Sequence, residues 1–121
     1  MIKAYFFDTY ALIETFEGNR DYAAYEDVDI ILTKLNIFEL CCYLYKRGLN
    51  MNEVDEALLE YMGSIVDYGY EVIKGSAEMK MQNRRLSMTD CIGYQIAQEH
   101  GVKFLTGDRE FEGMANVEFI K

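Results

Sequence analysis

Histidine and cysteine are scarce in this sequence, which limits the kinds of catalytic and metal site that it can build. The only histidine, His100, precedes Gly101, where we expect a helix to end, and a cation at a helix carboxyl terminus is stabilising. Sites that use Ser-His-Asp or Cys-His chemistry are therefore poor candidates. The cysteines are odd in number and lack zinc-site spacing, so we expect buried, reduced thiols at Cys41, Cys42 and Cys91.

Long hydrophobic runs are also absent. No apolar stretch approaches the length that is needed to span a bilayer. The apolar run at the N-terminus is interrupted by Asp8, too early for the core of a signal peptide. We therefore expect a cytoplasmic protein. With 121 residues, 50% of them hydrophobic, the chain has the size and composition of a single folded domain over residues 1–121.

Basic residues are outnumbered by acidic ones. The chain has 12 Lys and Arg against 21 Asp and Glu, which gives a formal net charge of −9. This balance argues against a protein that coats nucleic acid, because phosphate backbones favour Lys and Arg. Any surface that binds a nucleic acid must therefore be a local basic patch.

Segments typical of strands and of helices alternate along the chain. Short apolar runs indicate buried strands, and longer amphipathic or apolar stretches indicate helices. The alternation favours an α/β fold with three layers, α/β/α, and a mainly parallel central sheet that is covered on both faces. We predict strands at 2–7, 28–32, 70–73, 102–106 and 116–120, and helices after Asp8, at 37–47, from Asn52, at 76–86, and from Ser87 or Thr89 to Gly101.

Four acidic residues stand at the junctions between these elements. Asp8 and Asp108 each follow a strand, and Glu39 and Asp90 each fall in the first turn of a largely apolar helix. Each acid alone has a structural explanation, as a helix cap, a capping box or a turn residue. Asn36-x-x-Glu39, for example, has capping-box spacing, which places the helix start at Asn36.

Together, the four acids predict a metal site. In a parallel sheet they can meet at the carboxyl ends of the strands, where α/β proteins bind ligands. Two carboxylates about 5 Å apart repel by roughly 3 kcal/mol, unless a cation neutralises them or one stays protonated. Carboxylate oxygens suit Mg²⁺ or Mn²⁺, and such an ion activates water and stabilises charge on a phosphodiester. The residues therefore indicate a metal-dependent enzyme that acts on phosphates.

The same residues resemble the motifs of the PIN-domain nucleases, and especially of the small VapC-like toxins of prokaryotic toxin–antitoxin pairs. The resemblance spans nearly the whole chain. It implies a PIN-like α/β/α fold, with Asp8, Asp90 and Asp108 as metal ligands, Glu39 as the fourth acid of the site, and Thr106 and Asn36 as polar neighbours. The matching segments are Phe-Asp-Thr-Tyr-Ala-Leu-Ile at 7–13, Phe-Glu-Leu at 38–40, Asp-Cys-Ile at 90–92 with Gln-Ile-Ala at 95–97, and Leu-Thr-Gly-Asp-Arg-Glu-Phe at 105–111.

The resemblance implies a Mg²⁺- or Mn²⁺-dependent endoribonuclease with an RNA substrate. It also implies a small antitoxin protein as partner and a homodimer. Lys80, Arg84 and Arg85 have the spacing to share one side of a helix and are candidate RNA contacts, as is Arg109 beside the acids. A solvated helix face is the simpler explanation for these basic residues.

Two other functions are consistent with the sequence. One is a PIN-like module with weak or no catalysis, which binds RNA or protein and is regulated by a partner. Tyr61, Met62 and Met51 are candidates for the surface that such a partner covers, although packing in the core explains these side chains equally well. The other is a different acidic α/β site, as in a receiver domain or a haloacid-dehalogenase-like phosphatase. The phosphatases need a second Asp two residues after the first, where this chain has Tyr10, and receivers need paired acids where Asp8 stands alone.

Overall fold

A parallel sheet of four strands organises the part of the chain that the structure, a computed structural model, describes, residues 3–121. The strands are β1 (Ala4–Phe7), β2 (Asp29–Ile31), β3 (Lys103–Thr106) and β4 (Val117–Phe119). They lie side by side in the order β2-β1-β3-β4, and each neighbouring pair is parallel. The predicted parallel α/β architecture is confirmed. Residue 2, the predicted start of the first strand, lies outside the described residues.

Helices connect the strands. They are α1 (Thr9–Phe16), α2 (Lys34–Lys46), α3 (Met51–Leu58), α4 (Tyr70–Gln82) and α5 (Met88–Glu99). None of the helices in residues 3–121 is both long and apolar enough to cross a membrane. Three short 3-10 helices complete the described chain, at Arg20–Tyr25, Leu59–Ser64 and Arg109–Phe111.

The two faces of the sheet have separate hydrophobic cores, because successive strand residues point to opposite faces. Tyr5 and Phe7 of β1 pack in one core with residues of α1, α2 and α3. Phe6, between them, packs in the other core with Phe104 of β3 and residues of α4 and α5. The fold therefore has the predicted three layers, with helices on both faces of the sheet.

The predicted strand at 70–73 is wrong, because these residues form the first turn of α4. Its apolar and β-branched composition is typical of strands, but the buried residues Val72, Ser76 and Met79 follow the helical spacing of four and three. Gly75 does not break the helix. A Cβ at Gly75 would lie 2.9 Å from Gln95 Oε1, so the glycine allows α4 to lie close to α5.

The start of α2 also differs from the prediction. Thr33, not Asn36, is the N-cap, and it forms a capping box with Asn36 as the third residue of the helix. Glu39 consequently lies in the second turn and not in the first. The spacing before Asp90, in contrast, is a true capping box, with Ser87 as the N-cap of α5.

The expectation for the cysteines is correct in part. All three thiols are free, but only Cys91 is buried, whereas Cys41 is half-buried and Cys42 is exposed. His100 ends α5, and its Nδ1 lies 3.1 Å from the carbonyl oxygen of Ile96, as a residue at a helix terminus should.

Gly93 allows α5 to pack directly on the sheet. A Cβ at this position would lie 2.6 Å from Phe6 Cε1 and 3.1 Å from Phe104 Cε1. We expect Gly93→Ala to lower the free energy of unfolding by about 2 kcal/mol, because both aromatic rings must shift in a filled core. Urea denaturation checks this, with Gly63→Ala as the control, since no atom lies within 4 Å of a Cβ there. Equal losses in the two variants would contradict close packing at Gly93.

Candidate functional site

Asp8 lies at the carboxyl end of the two central strands. Its Oδ1 accepts the backbone N–H of Ala11 at 2.8 Å and caps α1, as expected for an acid between a strand and a helix. Its own backbone N–H donates to the carbonyl oxygen of Leu105 in β3 at 3.2 Å. The residue is only 2% exposed. The fold therefore fixes one carboxyl group in the interior, at the edge of the sheet where ligands bind in this class of fold.

Burial makes Asp8 hard to ionise and raises its pKa to about 8. Hydrogen bonds from the Thr106 hydroxyl and the Ala11 N–H oppose part of this rise. The negative charges of Asp90 and Asp108 add to it, so both side chains lie within electrostatic range of Asp8. Three acids that are separated by up to 100 positions in the sequence thus act on one another.

Thr106, the last residue of β3, lies close to both Asp108 and Asp8. Thr106 is fully buried, and its Oγ1 accepts the backbone N–H of Asp108 at 3.0 Å. The Asp108 side chain in turn accepts the N–H of Glu110 at 3.0 Å and starts the short helix Arg109–Phe111. Thr106 therefore binds the main chain of Asp108, and its hydroxyl lowers the pKa of Asp8.

Asp90 is held by the capping box of α5. Its backbone N–H donates to Ser87 Oγ at 3.0 Å, and its Oδ2 accepts the Ser87 N–H at 3.4 Å. Burial raises the pKa of Asp90, the hydrogen bonds with Ser87 lower it, and the charges of Asp108 and Glu39 raise it further. Asp90 is thus the third helical residue of a capping box and also an electrostatic neighbour of two other acids.

Glu39 is held by Thr9, which belongs to the first matching motif but has no role in the site that the sequence predicts. The Thr9 hydroxyl donates to Glu39 Oε1 at 2.5 Å, and Asn36 Nδ2 donates to Thr9 Oγ1 at 3.2 Å. Asn36 therefore reaches Glu39 only through Thr9. A hydroxyl residue directly after the acid that follows β1 is a weak signal, because Thr at such a place is also an ordinary helix-start residue.

The four acids have the right donor atoms for a hard divalent ion, because they supply only carboxylate oxygens. The raised pKa values of Asp8 and Asp90 show that each carboxylate would gain from a neighbouring cation. Within residues 3–121, however, no three His, Cys, Asp or Glu side chains are already arranged to hold a metal ion. The site thus matches Mg²⁺ or Mn²⁺ in chemistry and charge, while the ligand geometry is not formed.

The basic residues do not share one helix face. α4 ends at Gln82, so Arg84 and Arg85 lie in the turn between α4 and α5, and both are exposed. Lys80 is half-buried, and its Nζ donates to the carbonyl oxygens of Arg84 and Leu86 at 3.3 and 2.6 Å. It therefore holds the turn that carries the two arginines.

Two of the arginines lie near the 3-10 helix after Asp108. Arg85 forms an exposed ion pair with Glu110 at 3.7 Å, and Arg109 follows Asp108 directly. Burial raises the pKa of Tyr10, and the charge of Arg109 opposes part of that rise, so its guanidinium lies near the start of α1. Arg109 is thus the basic residue that lies nearest in sequence to an acid of the site.

Comparisons with known proteins identify the fold. No curated protein matches the chain. Among solved structures, the chain is similar to a toxin-antitoxin complex from Klebsiella pneumoniae, with a TM-score of 0.76 and 19% identity over 93% of this chain and 94% of that one. It is also similar to PAE2754 from Pyrobaculum aerophilum, with a TM-score of 0.64 and 20% identity over 98% of this chain and 92% of that one. Residues 5–117 match the PIN domain profile, and the chain therefore belongs to the PIN domain family.

Proposed function

We propose that this protein is a metal-dependent endoribonuclease, a single PIN domain over residues 1–121 that hydrolyses RNA phosphodiester bonds at Asp8, Glu39, Asp90 and Asp108. The observation that carries the proposal is the electrostatic coupling of these acids at the carboxyl end of the parallel sheet. PIN domains are generally nucleases, and PIN nucleases generally use divalent metal ions.

The acids have different tasks in this proposal. Asp8, Asp90 and Asp108 hold the ion. Thr106 supports two of them, because its Oγ1 binds the main chain of Asp108 and its hydroxyl favours the ionised form of Asp8. When bound, Mg²⁺ or Mn²⁺ lowers the pKa of the attacking water and stabilises charge on the phosphodiester. Glu39 orients that water and accepts its proton as the water oxygen bonds to phosphorus and the bond to the leaving ribose oxygen breaks.

Arg84, Arg85 and Arg109 supply the phosphate contacts. They are exposed, and Arg109 follows an acid of the site directly. Lys80 has a smaller part, because its ammonium group already binds two main-chain carbonyls. Arg85 and Arg109 both lie at the short helix that follows Asp108, and they are the local basic patch that a chain with a net charge of −9 needs in order to bind RNA.

We propose further that the protein is the toxin of a toxin–antitoxin pair, which is silenced by a small antitoxin and forms a homodimer. The similarity to a structure described as a toxin-antitoxin complex supports this. Exposed apolar residues also support it, because such surfaces are typical of interfaces. Tyr61 is buried and is not available to a partner, but Met51 and Met62 are exposed, as are Tyr70, Ile73, Met81 and Met88 along α4 and α5.

Cleavage of a mixed RNA pool tests the activity. We expect wild-type protein to cut RNA with Mn²⁺ or Mg²⁺ and to stop when EDTA is added. Asp90→Asn should cut on the order of 100-fold more slowly, because it removes one carboxylate from the proposed ion. Asparagine keeps an oxygen that can accept the Ser87 N–H, and it removes one charge that the neighbouring acids repel. The melting temperature should therefore be unchanged or slightly higher.

The outcomes separate the two candidate functions. Asp55→Asn, an exposed acid in α3, is the matched control and should cut as the wild type does. A wild-type protein that cuts no RNA with either ion, and whose melting temperature Mn²⁺ does not change, contradicts the nuclease. If that protein still binds RNA or a partner, the regulatory module is the better description, and its exposed apolar surface is the observation in its favour.

A further inference from the structure

A chain of hydrogen bonds joins the start of α1 to the first two turns of α2. Each residue donates to the next, starting from two buried residues and ending at two half-buried ones, in the order Thr33, Asn36, Thr9 and Glu39. We propose that Thr9 is a positioning residue, which together with Asn36 fixes the orientation of the Glu39 carboxylate. This inference rests on the proposed function of Glu39 and deepens it, because it assigns residues that control that acid.

The main chain sets the direction of the hydrogen bonds. The backbone N–H of Thr33 can only donate, and it meets the Asn36 side chain at 3.0 Å. The atom it meets must therefore be the amide oxygen, Oδ1, and the Thr33 hydroxyl donates to the same atom at 2.8 Å. The other end of the amide is NH₂, and it donates to Thr9 Oγ1 at 3.2 Å.

The hydrogen bond from Asn36 also determines that Thr9 is the donor to Glu39. A threonine hydroxyl has one proton to donate, and its oxygen already accepts a proton from Asn36. The Thr9 proton is therefore free for Glu39 Oε1, 2.5 Å away, in a charge-assisted hydrogen bond. One oxygen of Glu39 is thus fixed by Thr9, and the other oxygen is left for the site.

Because Thr33 and Asn36 are buried, water cannot easily take the place of a lost partner in these hydrogen bonds. Thr33 and Asn36 are each 1% exposed, and Thr9 and Glu39 are half-buried between the helices. A side chain that loses its partner there leaves a polar group unsatisfied. Thr9 also follows Asp8 directly, so one short segment after β1 places a proposed metal ligand and the residue that holds Glu39.

Two substitutions at Thr9 separate the effect of its hydroxyl on cleavage from the effect of its side-chain shape. Thr9→Val keeps the shape and removes the donor, and we expect cleavage to fall on the order of tenfold or more. Thr9→Ser keeps the hydroxyl and should retain most of the wild-type rate. Thr15→Val is the matched control on the same helix, because the Thr15 hydroxyl donates only to the carbonyl of Ala11 at 2.8 Å. A serine variant as slow as the valine variant would overturn the role of the hydroxyl.

Asn36→Asp tests the direction of the hydrogen bonds without removing the helix cap. Aspartate keeps an oxygen for the Thr33 N–H, but it presents an acceptor to Thr9 where asparagine presents a donor. The single Thr9 proton cannot serve both carboxylates, so cleavage should fall as much as in Thr9→Val. Asn50→Asp adds the same charge at the N-cap of α3 and should leave cleavage unchanged. Wild-type cleavage by Asn36→Asp would contradict the proposal.

A double-mutant cycle on unfolding tests the contact itself, without RNA or metal. Thr9→Val, Glu39→Met and the double variant are compared in urea, in EDTA. If the two side chains were independent, their changes in the free energy of unfolding would add. We expect the unfolding equilibrium constant of the double variant to differ about fivefold from the value calculated on that assumption. Additive effects would overturn the Thr9–Glu39 contact. Because the cycle does not depend on cleavage, it decides the contact even if the RNA experiments contradict the nuclease.

Discussion

Replacing Asp8 with Asn is expected to abolish metal-dependent RNA cleavage while making the metal-stripped protein more stable at high pH. Asp8 is a proposed metal ligand, and its loss should lower the cleavage rate on the order of 1,000-fold. Asparagine has nearly the same shape and can still accept the Ala11 N–H that caps α1. It carries no charge, so it avoids the cost of ionising a carboxyl group that is 2% exposed.

The sign of the pH dependence follows from the two pKa values of Asp8, its ordinary value of 3.8 in the unfolded chain and about 8 in the folded protein. Below 3.8 both states are protonated. Between the two values only the folded state keeps the proton, so the wild type loses about 1.4 kcal/mol of stability for each pH unit of increase. Above about 8 both states are ionised and the loss stops.

Urea denaturation of wild type and Asp8→Asn from pH 5 to pH 9, in EDTA, measures the difference. The stability of the variant relative to wild type should rise with pH and reach at least about 2 kcal/mol near pH 8. Mn²⁺ must displace the Asp8 proton, so its stabilisation of the wild type should grow with pH and be absent in the variant. Asp67→Asn, an exposed acid, is the control. A difference between variant and wild type that does not change with pH would contradict the burial of an ionisable Asp8.

Local signals in the sequence are sufficient for much of the fold. The apolar run of β1 is followed by Asp8, and that of β3 ends in Thr106. The spacing from Ser87 to Asp90 indicates a capping box that the structure contains. These patterns depend on residues within about four positions of one another, so the sequence displays them directly. The parallel direction of the strands, though not their order in the sheet, then follows from the alternation of strands and helices.

The errors arise where local composition and tertiary packing disagree. Residues 70–73 have strand-like composition, but α4 packs along α5 and the helical period of its buried residues prevails. At α2 both Thr33 and Asn36 are capping residues by type, and only the structure shows which of them is the N-cap.

The contacts that hold Glu39 are beyond the reach of the sequence for a different reason. Thr9 lies 30 positions from Glu39 and 27 from Asn36, so their contact depends on the packing of α1 against α2. No period or spacing encodes such a contact. Motifs in the sequence are sufficient to propose the four acids, whereas the side chains that orient them are fixed only by tertiary structure.

Replacing Gly107 with Ala is expected to damage both the fold and the site. Gly107 lies between Thr106 and Asp108, and a Cβ there would overlap the ring of Tyr10 and the carbonyl oxygen of Ile120. The ring can rotate, but the carbonyl belongs to main chain that is tied down, since the Ile120 N–H donates to the Thr106 carbonyl at 2.9 Å. Relief therefore requires the segment from 106 to 108 to move. We expect a loss of about 3 kcal/mol in the free energy of unfolding.

The two contacts of Gly107 can be separated experimentally. Adding Tyr10→Ala to Gly107→Ala removes the clash with the ring but not the clash with Ile120, so it should restore little of the stability lost by Gly107→Ala. Cleavage by Gly107→Ala, measured where the variant is fully folded, should still be reduced, because a moved peptide shifts the Asp108 carboxylate and loosens its hydrogen bond to Thr106. Full recovery in the double variant would instead mean that Tyr10 alone requires the glycine, and that the end of β3 is free to adjust without disturbing the acids.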